Sequence, residues 1–431
     1  MSAELISIVV LVAVFVVATT RSVNMGALSF AAAFGVGELV AGLDAEGIFA
    51  GFPGDLFVVL VGITYLFAIA RTNGTTDWLV AASLRLVGGR VVLIPWVMFA
   101  ITGLLTAIGA VSPAAVAIVA PIALSFAARH GISPLLMGAM VVHGAQGGGF
   151  SPISIYGSIV NGIVAREDLP GSETVLFLGS LVVNLLIAAI VFVVCGGLKL
   201  SGRDAESTTP APNSVATAAG PGAATAADTD AGLLTPQRIA TLVALVVLVL
   251  AVLAFDLDAG LTAITLAVVL SIFWPDDSRK AVGSITWPTV LLICGVLTYV
   301  SVLEEMGTIE WAGKGVSGIG IPLLAALLLC YIGAVVSAFA SSVGIMGALI
   351  PLAVPFLAQG HIGAIGMITA LSVSATVVDV SPFSTNGALV LAAAADVDRD
   401  RFFRQLMIYG GIIVAVVPAV VWLVMVVPGF G

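Results

Sequence analysis

Apolar residues along this chain come in long runs cut by short polar stretches, and the runs form two series of the same order. The first series covers 5–18, 25–40, 56–70, 92–127, 134–164 and 175–198; the second covers 239–254, 260–273, 290–303, 321–356, 363–394 and 406–427. Runs of this kind predict helices in a bilayer, where about 17 to 25 apolar residues are needed to cross. The runs 92–127 and 321–356 are long enough for two helices each, yet their centres, Val111-Ser112-Pro113 and Ser341-Ser342-Val343, carry no charge. A turn emerging into water is normally more polar, so each run predicts a re-entrant hairpin with its tip buried in protein or beside a water-filled cavity. Two complete spans remain the alternative.

The two series also share residues. Gly62 returns as Gly295, Gly74 to Trp78 as Gly307 to Trp311, and Gly103, Ser112, Pro121, Ser151-Pro152 and Gly157 as Gly333, Ser342, Pro351, Ser381-Pro382 and Gly387. Duplicated membrane halves with helix-breaking residues at matching positions are a pattern of secondary transporters. The expected fold is an all-α polytopic membrane protein made of two inverted-topology repeats. Each has about five transmembrane helices plus one re-entrant hairpin, with broken helices at the centre. The boundaries read as 1–200 for the first repeat, 201–235 for a flexible linker rich in Ala, Thr, Pro and Gly, and 236–431 for the second. The short stretches 75–87 and 308–318 read as interfacial helices with Trp78 and Trp311 at headgroup depth.

Composition supports the membrane setting. Of 431 residues, 60% are hydrophobic and 9% charged, a balance that leaves too much apolar surface for water. A net charge of -9 without a basic groove argues against nucleic acid as a partner. Cys195, Cys294 and Cys330 are scattered in apolar runs and read as packing residues. Residues 5–18 read as a first span and not as a signal peptide, since no basic segment precedes them.

Counting spans places Arg21, Arg71, Arg85, Arg90, Arg129, Lys199, Arg203, Arg238, Arg279, Lys280, Arg399, Arg401 and Arg404 on one side, with Arg166 and Lys314 on the other. The positive-inside bias makes the first side cytoplasmic, which puts the linker inside and both termini outside. The expected location is the cytoplasmic membrane.

Candidate chemistry sits at the breaks. Gly147, Gly148, Gly149 and Pro152 interrupt the helix over 134–164, and Ser381-Pro382 with Gly387 interrupts that over 363–394. Continuing an α-helix there costs about 1 kcal/mol per glycine and 3 for proline. A broken helix offers free N–H groups at one half and free carbonyls at the other, suited to anions and cations respectively. Hydroxyls at the tips and breaks extend that equipment, and the residues expected to face a small anion are Ser112, Ser154, Ser342, Ser384, Thr385 and Asn386. Each serine has an alternative use as an internal helix cap. His143 and Asp379 are the ionisable groups nearest the breaks and are candidates for proton coupling, Asp379 also for cation binding. Their alternatives are a neutral packing histidine and a capping aspartate.

Together these residues resemble the ion transporter superfamily, in particular the divalent anion/sodium symporters and, among them, the malonate or dicarboxylate carrier type called MatC. The resemblance spans Met25 to Val427 apart from the linker. That family carries Ser-Asn-Thr at each hairpin tip, where this chain has Ser341-Ser342-Val343 and Val111-Ser112-Pro113, and Thr-Pro at each break, where Ser151-Pro152 and Ser381-Pro382 stand. The resemblance implies a homodimeric elevator carrying a small carboxylate. It also implies sodium sites between each tip and its neighbouring break, drawing on Ser112, Gly148, Ser151, Ser341, Asp379 and Ser381. The leading expectation is uptake of a malonate- or C4-dicarboxylate-class acid coupled to sodium or protons, with no further cofactor. A cation/proton antiporter or inorganic anion permease of the same superfamily is the alternative. An enzyme is disfavoured, since the chain has no HExxH, GxSxG or P-loop and only His130, His143 and His361 as histidines; a mere scaffold has no use for paired helix breaks.

Overall fold

The computed structural model describes residues 2–21, 23–85, 90–200, 234–255, 257–308, 311, 322–338, 342–357, 362–394 and 397–430. Its elements are helices. The first half contains α1 (Ala3–Arg21), α2 (Met25–Val36, continued by a wider turn over Gly37–Ala41), α3 (Ala45–Ala50), α4 (Gly54–Thr72), α5 (Thr75–Arg85), α6 (Ile94–Ala107), α7 (Ser112–His130), α8 (Pro134–Gly148), α9 (Ile155–Arg166) and α10 (Glu173–Val194). The second contains α11 (Pro236–Phe255), α12 (Ala259–Phe273), α13 (Pro275–Gly283), α14 (Trp287–Glu305), α15 (Pro322–Ser337), α16 (Ser342–Leu357), α17 (Ala364–Val377), α18 (Thr385–Ala393) and α19 (Arg399–Val421, ending in a wider turn over Trp422–Val426). The linker, Ser341, and nearly all of the second interfacial stretch lie outside the described residues.

Local chemistry sets the helix ends. Asn24 and Asp44 accept from the N–H groups of Ala27 (3.1 Å) and Gly47 (2.8 Å), capping α2 and α3. Gly42 and Gly131 follow α2 and α7 at φ of 69° and 61°, a left-handed conformation that favours glycine. The five stretches long and apolar enough to cross a bilayer among the described residues are Gly54–Thr72, Ser112–His130, Glu173–Val194, Trp287–Glu305 and Asp400–Val426. The protein is therefore a multi-pass helical membrane protein.

Packing joins the halves crosswise. α2 lies on α14 and α4 on α12. A Cβ on Gly26 would stand 1.9 Å from the Leu291 carbonyl oxygen, and one on Gly295 2.1 Å from that of Gly26. The matching crossing repeats this contact: a Cβ on Gly62 would stand 2.4 Å from the Gly260 carbonyl, and one on Gly260 2.5 Å from Val59 Cα. Close backbone approach of this kind is how membrane helices gain contact in lipid, where burial of apolar surface supplies little drive. Hydrogen bonds reinforce these crossings: Asn24 donates to the Pro288 carbonyl (3.0 Å), and the Tyr65 and Ser271 hydroxyls meet at 2.8 Å. α4 is tied as well to α11, where Asn73 donates to Thr241 Oγ1 (2.7 Å), and to α13, where the Tyr65 and Ser278 hydroxyls meet at 2.6 Å.

The remaining helices form a second body. Within it α6 packs on α8 and α15 on α17, while α7 meets α18 and α9 meets α16 across the halves. α10 and α19 flank α8 and α17 respectively. The centre of this body is where the first hairpin turn and both helix breaks come together.

Candidate functional site

The first hairpin turns over residues 108–111. Gly109, at φ 115°, makes the turn, and a Cβ there would meet Ile63 Cγ2 at 2.7 Å, so the tip is pressed against α4. Val111 precedes α7 without a side-chain cap, leaving the Ser112 hydroxyl available at the first turn. Pro113 suits that position because its missing N–H is one that helix starts leave unpaired anyway. Ala110 and Ser112 are buried. A cavity lined by Thr64, Arg71, Gly109, Val111, Ser284 and Thr286 lies beside this tip.

The two breaks share one backbone design. In the first, the Ser154 hydroxyl accepts from Gly157 N–H (3.2 Å) and points its proton at the Ser151 and Gly149 carbonyls. In the second, Ser384 accepts from Gly387 N–H (3.4 Å) and points at the Ser381 and Asp379 carbonyls. Gly157 N–H reaches the Gly149 carbonyl at 3.2 Å and Gly387 N–H that of Asp379 at 3.1 Å. Ser154 and Ser384 thus cap α9 and α18. Ser151 donates to the Ala107 carbonyl, tying the first break to the first hairpin. Gly148 lies so close to α6 that a Cβ would fall 1.9 Å from the Gly103 carbonyl. Gly410 of α19 packs on Ser381, where a Cβ would stand 3.2 Å from Ser381 Cα.

Between tip and breaks sits a polar cluster drawn from both halves. Asp379 Oδ2 accepts from Gln146 Nε2 at 2.9 Å and from Asn386 Nδ2 at 3.1 Å. Asn386 Nδ2 also donates to Ser112 Oγ at 2.7 Å, and Gln146 Nε2 approaches the same oxygen at 3.5 Å. The four side chains are between 0% and 4% exposed, and no arginine or lysine among the described residues pairs with Asp379. Tyr156 stands beside Ser112 and Gln146. The carboxamide oxygens of Gln146 and Asn386 accept no hydrogen bond from any described residue. Such an arrangement can hold an electropositive guest on its oxygens, or exchange a proton at Asp379.

His143 lies outside this cluster but is linked to it. Asn184 donates through Nδ2 to the Ser180 carbonyl (2.9 Å), so its Oδ1 accepts from His143 Nδ1–H (2.9 Å). That tautomer leaves His143 Nε2 to accept from the Tyr409 hydroxyl at 2.6 Å. Ser180 donates to the Gln146 carbonyl at 3.1 Å. A neutral imidazole is thereby satisfied on both nitrogens and pins α8 to α10 and α19.

Of the residues expected from sequence, Ser112, Ser342, Asp379 and Asn386 meet in one cluster, the Ser342 side chain interacting with Asp379 while its hydroxyl accepts from that of Ser337 at 2.9 Å. Thr385 is exposed. Ser341 lies outside the described residues. Gln146 and Tyr156 were not singled out beforehand; the signal for Gln146 was a carboxamide in an otherwise apolar span, where polar groups are costly.

Residues 1–149 match the family model of the dicarboxylate carrier protein MatC N-terminus. The matched segment includes the first hairpin, Ser112 and Gln146 and stops inside the first break, ahead of Asp379 and Asn386. No curated protein matches the chain.

Proposed function

We propose that this protein is a secondary active transporter of small carboxylates of the malonate or C4-dicarboxylate class, coupled to sodium or protons. The observation that carries the reading is the meeting of Ser112 at a hairpin turn with Asp379 and Asn386 at the opposite half's break, buried in an otherwise apolar body. The match of residues 1–149 to the MatC N-terminal family supports the choice of cargo. The dipoles at the starts of α7, α9, α16 and α18 offer partial positive charge to a carboxylate.

In this reading the halves are inverted repeats and the hairpins re-entrant. α6, with 14 residues, spans about 21 Å at 1.5 Å per residue, short of the roughly 30 Å hydrocarbon core. The glycine-locked helices α2, α4, α12 and α14 serve as a static frame, and the body containing both hairpins moves across it as an elevator. The protein acts as a homodimer in the cytoplasmic membrane, with its linker inside and its termini outside. The buried carboxylate of Asp379 favours one second reading, a cation/proton antiporter with no organic cargo.

The test is uptake of labelled malonate, succinate and malate into proteoliposomes, with sodium and proton gradients imposed separately. Uptake that follows one gradient is expected. No uptake of any acid under either gradient, with sodium-driven proton movement retained, overturns the carboxylate reading in favour of the antiporter.

A further inference from the structure

We infer that the cavity between α4 and the first hairpin turn marks the approach of the anionic cargo from one membrane face, and that Arg71 at its mouth is the residue that captures it. This rests on the transport reading above and gives it a sidedness: a dianion is held more strongly at the face of Arg71 than at the opposite face.

The argument starts from what lines the cavity. Thr64, Ala68 and Arg71 of α4 face Gly109 and Val111 of the turn, and Thr286 adds a hydroxyl where α14 begins. The turn touches α4 at Ile63, since a Cβ on Gly109 would meet Ile63 Cγ2 at 2.7 Å. Arg71 lies two helical turns further along α4, about 12 Å at 1.5 Å per residue. The cavity thus runs from the turn to the exposed end of α4, and Ser112, the residue after Val111, already belongs to the buried cluster. At about 20 Å³ it has room for a water molecule and none for a carboxylate, so the passage is closed here and widens as the turn moves off α4. No described residue hydrogen-bonds or pairs with the Arg71 guanidinium, although α13, packed on α4, brings Asp276 and Asp277. Thr286 caps nothing with its side chain. The buried cluster contributes a carboxylate and no cation, so an entering dianion meets its positive charge at the mouth.

The opposite face is built with the other sign. By the correspondence that takes Gly62 to Gly295 and Gly74 to Gly307, Arg71 becomes Glu304. α14 starts beside the cavity, and its 19 residues, about 28 Å long, carry Glu304 to the far face. There Glu304 is exposed and near enough to Glu167 for the two charges to repel. Arg166, next to Glu167, is engaged by the Gly51 carbonyl at 2.9 Å. A positive mouth concentrates a dianion and a negative one repels it, and both effects fade as salt screens them.

The test uses membrane vesicles of both orientations containing the full-length protein, with protease cleavage of the linker reporting which face is outward. Arg71 lies on the linker's side, since Arg238 at the start of α11 donates to the Asn73 carbonyl at 3.2 Å. Labelled malonate, succinate and malate are presented in turn at fixed sodium and pH, against vesicles lacking the protein. The half-saturating concentration of the carried acid should be lower at the linker face by about three- to tenfold, and the difference should shrink as choline chloride is added. Arg71→Gln should raise the linker-face value by a similar factor, Arg71→Lys should restore most of the loss, and Glu304→Gln should lower the value at the opposite face. Uptake with equal half-saturation at both faces, a difference indifferent to salt, or a linker-face value unmoved by Arg71→Gln overturns this inference and leaves the transport reading standing. No uptake of any acid at either face overturns both. Wild type and its salt dependence decide even where a variant fails to insert.

Discussion

The two helix breaks have nearly the same backbone and very different side chains. Ser154 and Ser384 cap equivalent half-helices, and Gly157 and Gly387 close equivalent turns onto the Gly149 and Asp379 carbonyls. Yet where the first break has Gly149 and Tyr156, the second has Asp379 and Asn386, and where α8 carries His143 and Gln146, α17 carries Val373 and Thr376. The shared part is what a chain needs in order to stop and restart a helix at depth, since every N–H and carbonyl must find a partner there. The unshared part is chemistry, and it is divided so that Gln146 from one half completes Asp379 from the other.

The strongest way to break the comparison is to fill the closing turns. A methyl on Gly157 or Gly387 would lie 2.0 or 1.9 Å from the Ser151 or Ser381 carbonyl oxygen, against backbone that has no room to yield. Gly157→Ala and Gly387→Ala should each destabilise by about 3 kcal/mol, near the upper end for overpacking. Thermal unfolding in detergent should show the two losses to be alike. A tolerated alanine at either glycine means that the turns are not equivalent.

The next effect should fall on one half only. His143→Leu leaves Asn184 Oδ1 and the Tyr409 hydroxyl without their partner and should cost about 1–3 kcal/mol. Valine already stands at the matching Val373, so the second half has no such tie to lose. The same unfolding assay checks this, and Tyr409→Phe should cost less than His143→Leu because it removes one of the two bonds.

Removing the caps is gentler. Ser154→Ala and Ser384→Ala should each cost about 1 kcal/mol, the usual value for a lost helix cap. A cost confined to one of them would show that the caps, unlike the turns, have diverged.

The smallest effect lies at the rim. Glu167 follows α9 beside Arg166, which donates to the Gly51 carbonyl at 2.9 Å. Burial pushes the Glu167 carboxyl up from 4.5 to about 6, with the Glu304 charge adding to the rise and Arg166 opposing it. A raised folded pKa means that the neutral acid suits the fold. Its contribution to stability is complete below about pH 4.5 and is lost as pH rises through about 6. Glu167→Gln should therefore raise Tm slightly at pH 7 to 8 and flatten the pH dependence between about pH 4.5 and 6. The second half, whose corresponding position is Val397, has no such titration.

Much of the architecture was legible because backbone problems leave marks in sequence. Three glycines and Pro152 announce that a helix cannot continue, and α8 does stop at Gly148 with α9 starting at Ile155. Uncharged Val111-Ser112-Pro113 announces a turn between two helices, and α6 does end at Ala107 with α7 starting at Ser112. The partners of Asp379 were not legible. Gln146 and Ser112 reach it from far away in the chain, and nothing in their neighbours' polarity says which carboxamide will face which carboxylate. His143 was visible as an ionisable group, but Asn184 and Tyr409 lie in other helices whose rotation is decided by packing. Crosswise pairing of α2 with α14 and α4 with α12 was hidden for the same reason: glycines mark a close approach without naming what approaches.

That crosswise pairing also has a consequence for how the molecule comes to exist. The ribosome delivers α2 and α4 long before α12 and α14; the Asn24 to Pro288 bond alone joins residues 264 apart. A nascent chain that has reached the linker holds Gly26 and Gly62 with neither of their partners yet synthesised. Its first half must wait in the membrane, inserted but unclosed, until the second arrives to complete it, and the order of birth is not the order of assembly.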